Sequence, residues 1–114
     1  MLFLGAALAP AQAVTNSQAD LKAAVVAYSK AYLTGDGAAA YALLSKACRA
    51  KMSLSRFAAL TEYAADLYGY IPIATYRATI DGRKASVTYT YAVAKINQTN
   101  QPWVYENGWR NNNC

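Results

Sequence analysis

Apolar residues recur along the first half of the chain with helical spacing. Leu21, Val25, Tyr28 and Tyr32 lie four, three and four residues apart, which draws one stripe along a helix of about four turns. Asn16 or Ser17 can cap that helix by accepting from the unpaired N–H groups of its first turn, and Asp20 complements the dipole there. Thr34-Gly35-Asp36-Gly37 stops it. A second helix is expected from about Ala38 to Arg49, with Tyr41, Leu44 and Cys48 on its inner face. Ser53 or Ser55 opens a third, whose inner face is read as Phe57, Leu60, Ala64, Leu67 and Tyr68, until Gly69 ends it.

From Ile71 the period changes to two. Ile73 to Ile80 reads as a strand, Asp81-Gly82 as a two-residue hairpin turn, and Ala85 to Ile96 as a long returning strand. In that strand Val87, Tyr89, Tyr91 and Val93 share a face and form the floor for the helices. Asn97 to Pro102 reads as a loop, and Trp103 to Tyr105 starts a strand that turns at Asn107-Gly108 into Trp109-Arg110. Helices followed by strands predict an α+β fold, with N-terminal helices packed on a curved antiparallel sheet in a single domain.

A domain of 114 residues buries only about 60 to 70% of its unfolded surface, so a covalent staple would matter. The chain has two cysteines, Cys48 and the terminal Cys114, and a disulfide between them would tie the last strand to the second helix. Residues 1–13 read as a shortened signal peptide: an apolar run from Leu2 to Ala9, then Pro10 and the small-x-small pattern Ala11-Gln12-Ala13. The basic region that should precede the run is missing, which predicts a start upstream of Met1. Cleavage after Ala13 would leave a mature domain over 14–114. These signals predict a secreted, extracytoplasmic protein with no transmembrane segment.

The net charge of +5 favours anionic surroundings, such as an envelope surface. Lys46, Arg49, Lys51 and Arg56 form the one basic group, read first as a solvated face. No motif points to nucleic acid.

Several stretches together resemble a known family. They are Leu43-Leu44-Ser45 with Cys48-Arg49, the Asp81-Gly82 hairpin with Ala85-Ser86-Val87-Thr88-Tyr89, and Trp103-Val104-Tyr105-Glu106-Asn107-Gly108-Trp109-Arg110 ending at Cys114. The chain is similar in these to small exported bacterial proteins of the nuclear-transport-factor-2-like (cystatin-like) superfamily. The resemblance implies a curved sheet wrapped round helices into a cone-shaped roll, whose mouth can hold an apolar ligand or be covered by a partner. It implies no activity, because that superfamily contains enzymes, binding modules and dimerisation domains.

The chain has no histidine, which removes the usual general base and every Ser-His or Cys-His arrangement. No phosphate loop, dinucleotide fingerprint or zinc spacing is present, so no cofactor or metal is expected. The acids are Asp20, Asp36, Glu62, Asp66, Asp81 and Glu106, all placed by the pattern at helix starts, outer flanks or turns. Asp36 and Glu106 are the two least firmly placed away from the cone.

Ten tyrosines and two tryptophans remain. Tyr28, Tyr32, Tyr41, Tyr89, Tyr91 and Trp103 form the candidate pocket, with two other uses open for the same rings: filling the core, or meeting a partner. The expected function is a non-catalytic exported binding domain, taking a small apolar ligand or a protein partner through its cone or sheet face. A homodimer through the sheet is one form of the latter. The alternative is an isomerase or hydrolase with a tyrosine and a carboxylate in the cone, which needs an acid within hydrogen-bond reach of a ring hydroxyl.

Overall fold

The computed structural model describes residues 17–114. The segment read as a signal peptide, 1–13, lies outside the described residues. Among the described residues four helices precede four strands, so the α+β order predicted from the pattern is the order observed. The helices are α1 (Gln18–Leu33), α2 (Gly37–Ala42), α3 (Lys46–Lys51) and α4 (Leu54–Leu67). The strands are β1 (Thr75–Asp81), β2 (Lys84–Thr90), β3 (Gln98–Tyr105) and β4 (Trp109–Asn111), with a 3-10 turn at Ala94–Ile96 between β2 and β3. The sheet runs β1-β2-β3-β4, each strand antiparallel to its neighbour.

Helix α1 is the spine. Leu21 and Val25 pack on the sheet against Ala85, Val87, Tyr89, Trp103 and Trp109. Further along, Ala31 joins Ala40, Leu44, Cys48 and Phe57 in a second cluster among the helices. One helix with two apolar contacts thus joins sheet to helices. Ser17 caps it as predicted, its Oγ accepting from the Asp20 N–H at 3.2 Å.

The segment read as one helix from Ala38 to Arg49 is two. Leu44 pairs in parallel with Asn111 of β4: Ser45 N–H donates to the Asn111 carbonyl and Asn111 N–H to the Leu43 carbonyl, both at 2.8 Å. Those bonds take Leu43 to Ser45 out of the helical ladder. Ser45 then caps α3, accepting from Cys48 N–H at 3.1 Å, and the Glu106 carboxylate accepts from Lys46 N–H at 3.0 Å. Cys48 is joined to Cys114, with an S–S distance of 2.00 Å and Cα atoms 5.6 Å apart.

The third predicted helix, α4, is rotated from expectation. Its buried residues are Phe57, Thr61 and Ala64, whereas Leu60 and Leu67 are 43% and 56% exposed. The cause is the close approach of α2, since a Cβ on Gly37 would lie 2.5 Å from Ala58 Cα and 3.2 Å from Thr61 Oγ1. Small residues of α4 must therefore face α2, which turns the leucines aside.

The first hairpin pairs Asp81 with Lys84, so its two loop residues are Gly82 and Arg83, one place later than the dipeptide suggests. Gly82 has φ +63, as a II′ turn requires at its first position. Strand β2 ends at Thr90, short of the predicted Ile96. The stretch read as a loop before Trp103 is the first half of β3, and a bulge explains why it does not alternate. Val87 pairs with Gln101 and Tyr89 with Gln98, so three steps on β3 meet two on β2. Asn100 is the accommodating residue, with φ 50 and its N–H bonded to Thr88 Oγ1 at 3.0 Å.

Candidate functional site

Helix α4 packs mainly on α1 and α2. Between its free flank, α1 and the end of β2 lies a cleft of about 420 Å³, within the range of small-molecule sites. Its walls come from two helices, the sheet and the 3-10 turn. Helix α1 gives Tyr28, Ser29, Tyr32 and Leu33, and α4 gives Leu60, Tyr63, Ala64 and Leu67. The sheet and its connections add Tyr89, Tyr91, Gln98, Gln101 and Asn111, and the 3-10 turn adds Lys95 and Ile96.

Helical spacing brings Tyr28 and Tyr32 to one side, where their ring centroids are 5.8 Å apart. Alternation along β2 puts Tyr89 on the inner face, and Tyr91 continues it past the strand end, with centroids 5.9 Å apart. Four of the rings expected from the sequence therefore meet in the cleft. Tyr41 and Trp103 do not line it. The Tyr41 hydroxyl is shared between the Arg49 and Met52 carbonyls at 3.0 and 2.7 Å, and its ring lies on Phe57, so it ties α2 to the end of α3. Trp103 is wholly buried beneath Tyr28, edge to face at 5.9 Å.

The polar groups inside the cleft are already paired with one another. Ser29 Oγ bonds the Tyr91 hydroxyl at 2.5 Å. The Gln101 Oε1 accepts from the Tyr89 hydroxyl and from Trp103 Nε1, both at 2.8 Å, and Gln101 Nε2 donates to Gln98 Oε1 at 3.2 Å. The bulge at Asn100 makes this possible, because residues three apart on a regular strand face opposite ways. Asn111, also buried, lies against the Tyr28 hydroxyl and accepts from Asn113 N–H at 2.8 Å.

Burial raises the pKa of Tyr28 well above the ordinary tyrosine value; Tyr32 adds to the rise, Asn111 partly opposes it, and Tyr91 adds again. Burial does the same to Tyr89, reinforced by Tyr91 and Tyr28 and partly offset by the Gln101 bond. Tyr32 and Tyr91 are raised by burial as well, and the Ser29 bond opposes the rise at Tyr91. The rings are held as neutral phenols.

None of the six acids lines the cleft, and all are exposed. Asp36 caps α2 through Ala39 N–H at 3.2 Å, and Glu106 caps α3. The two acids least firmly placed by the sequence are thus helix caps, and a tyrosine and carboxylate pair has no carboxylate here. Among the described residues no group of three or more cysteines and acids could hold a metal ion.

Two members of the basic group bond to backbone carbonyls. Arg49 Nη1 donates to the Leu44 carbonyl, and Lys51 Nζ reaches the Cys114 carbonyl at 3.4 Å. The outer face of the sheet carries Thr75, Arg77, Thr79, Ser86, Thr88 and Thr90, opposed across β1 and β2. Ser29, Gln98, Gln101, Asn111 and Lys95 are cleft residues that the hydrophobic pattern passes over, because polar side chains carry no signal in it.

No protein-family model, curated protein or solved structure matches this chain.

Proposed function

We propose that this chain is an exported, non-catalytic domain of the nuclear-transport-factor-2-like kind that holds a small apolar ligand in the cleft between α1, α4 and the sheet. One observation carries the reading: the cleft is walled by tyrosine rings and by Leu33, Leu60, Leu67 and Ile96, while its inner polar groups are bonded to each other. In its inner part a ligand meets apolar surface and the already bonded Tyr89 and Tyr91 hydroxyls, so the portion held there needs little polarity of its own. Leu60 and Leu67 are large apolar side chains left in water, and a ligand between them and Ile96 would cover them. The Cys48–Cys114 bond supports an address outside the reducing cytosol. Among the described residues no helix is long and apolar enough to cross a membrane.

Titration with the neutral fluorophore N-phenylnaphthylamine tests the reading. Saturable one-to-one binding is expected, weakened about tenfold in Leu60→Asp, which removes about 1.4 kcal/mol of apolar contact. Leu60 is exposed, so the far-ultraviolet circular dichroism of the variant should match the parent. Absence of saturable binding, or equal affinity in the variant, would remove the proposal.

A further inference from the structure

The cleft has one ionised side chain in its lining, and that charge is unspent. Lys95 stands in the 3-10 turn beside Ile96, is exposed, and has no hydrogen bond or ion pair among the described residues. No acid shares the lining with it. The Tyr32, Tyr63 and Tyr68 hydroxyls are likewise not bonded, and Tyr63 is 65% exposed. All four groups can donate to an anion. The inner polar groups, by contrast, are already committed: Tyr91 to Ser29, Tyr89 to Gln101, and Gln101 to Gln98.

This division assigns the two ends of a ligand. An uncharged chain suits the interior, where a charged head would be desolvated without new partners. A head carrying negative charge suits the exposed rim, where the Lys95 ammonium and the Tyr63 hydroxyl remain available and water still reaches. From this charge complementarity, and resting on the binding function proposed above, we infer that the occupant is a long-chain carboxylate, its chain between α1 and α4 and its head at Lys95. The net charge of +5 favours encounter with such an anion, and a cationic amphiphile meets Lys95 as repulsion.

Calorimetric titration with dodecanoate, dodecanol and dodecylammonium, each below its micelle concentration, separates head from chain. Dodecanoate should bind about fivefold more tightly than dodecanol, the gain of a partly exposed ion pair, and dodecylammonium most weakly. Lys95→Ala should erase the advantage of dodecanoate over dodecanol. Lys95→Glu should reverse the order of the two charged chains. Added salt should narrow the carboxylate advantage in the parent protein. Equal binding of dodecanoate and dodecanol by the parent, or an advantage that survives Lys95→Ala, overturns the head-group assignment while leaving the apolar cleft standing. If no chain binds, while N-phenylnaphthylamine does, the carboxylate is overturned alone; if neither binds, the binding function falls with it.

Discussion

Gln101 holds more of the site than its residue type suggests. Its single carbonyl oxygen accepts from both Tyr89 and Trp103, two of the largest buried side chains, and its amide nitrogen fixes Gln98. Removing that oxygen would leave two buried donors without partners, each costing about 1–3 kcal/mol. Tyr76 Oη and Trp109 Nε1 are already buried without a hydrogen bond among the described residues, so the domain carries some of this cost in its native state. Gln101→Leu preserves approximate volume but not the acceptor. It should lower the free energy of unfolding by about 2–4 kcal/mol, read from the midpoint of a urea titration at unchanged slope. A shift below about 0.5 kcal/mol would mean that both donors find other acceptors.

At the scale of elements, the C-terminal strand is the hinge between the helices and the sheet. Strand β4 pairs with β3 on one side and reaches Leu44 on the other, and three residues later the chain is bonded to α3. The disulfide closes a loop with a sequence separation of 66, for which chain entropy alone gives roughly 4 kcal/mol. The backbone bonds at Leu43 and Ser45 would hold the tail near α3 even without it, so Cys114→Ser should cost about 2–4 kcal/mol and keep the fold. Reductant should lower the stability of the parent by the same amount and leave the variant unaffected. Cys48, on the inner face of its helix, and the terminal Cys114 made that bond legible in the sequence. Leu21 and Val25 likewise gave the contact of α1 with the sheet, because a stripe with helical period records which face is buried. What the pattern could not record was any break imposed from elsewhere. The helix ends at Leu43 because of a strand some 70 residues later, a figure set by pairing across the fold and not by local propensity. The bulge at Asn100 hid a strand by destroying its alternation, and Gly37 rotated α4 by letting α2 approach. The site shows the same limit: periodicity placed Tyr28, Tyr32, Tyr89 and Tyr91 on inner faces, and placed Tyr41 and Trp103 there too. Face is periodic; depth is not.

For the whole molecule, concentrating neutral phenols at the join of sheet and helices couples stability to alkali. The folded-state pKa values of Tyr28 and Tyr89 lie well above the unfolded value near 10.0, first because of burial and then because neighbouring tyrosines would repel the phenolate. Below pH 10 both states keep these protons and the contribution to stability is constant. Above it the unfolded chain releases protons that the folded chain retains, so stability falls as pH rises, until the folded-state values are reached. Each strongly shifted ring contributes a slope of up to about 1.4 kcal/mol per pH unit, and two would give about 3 kcal/mol per unit. That slope would exhaust a typical net stability of about 5–15 kcal/mol within a few pH units. Tyrosinate absorbance from the buried rings should therefore appear together with loss of circular dichroism, in one cooperative step. Tyr28→Phe removes one of the two protons without removing the ring, and should make the alkaline decline shallower by about 1.4 kcal/mol per pH unit. Stability that stays level from pH 10 upward, or a Tyr28→Phe slope equal to that of the parent, would show that these hydroxyls reach water in the folded state, and the cleft would then be wetter inside than its hydrogen bonds imply.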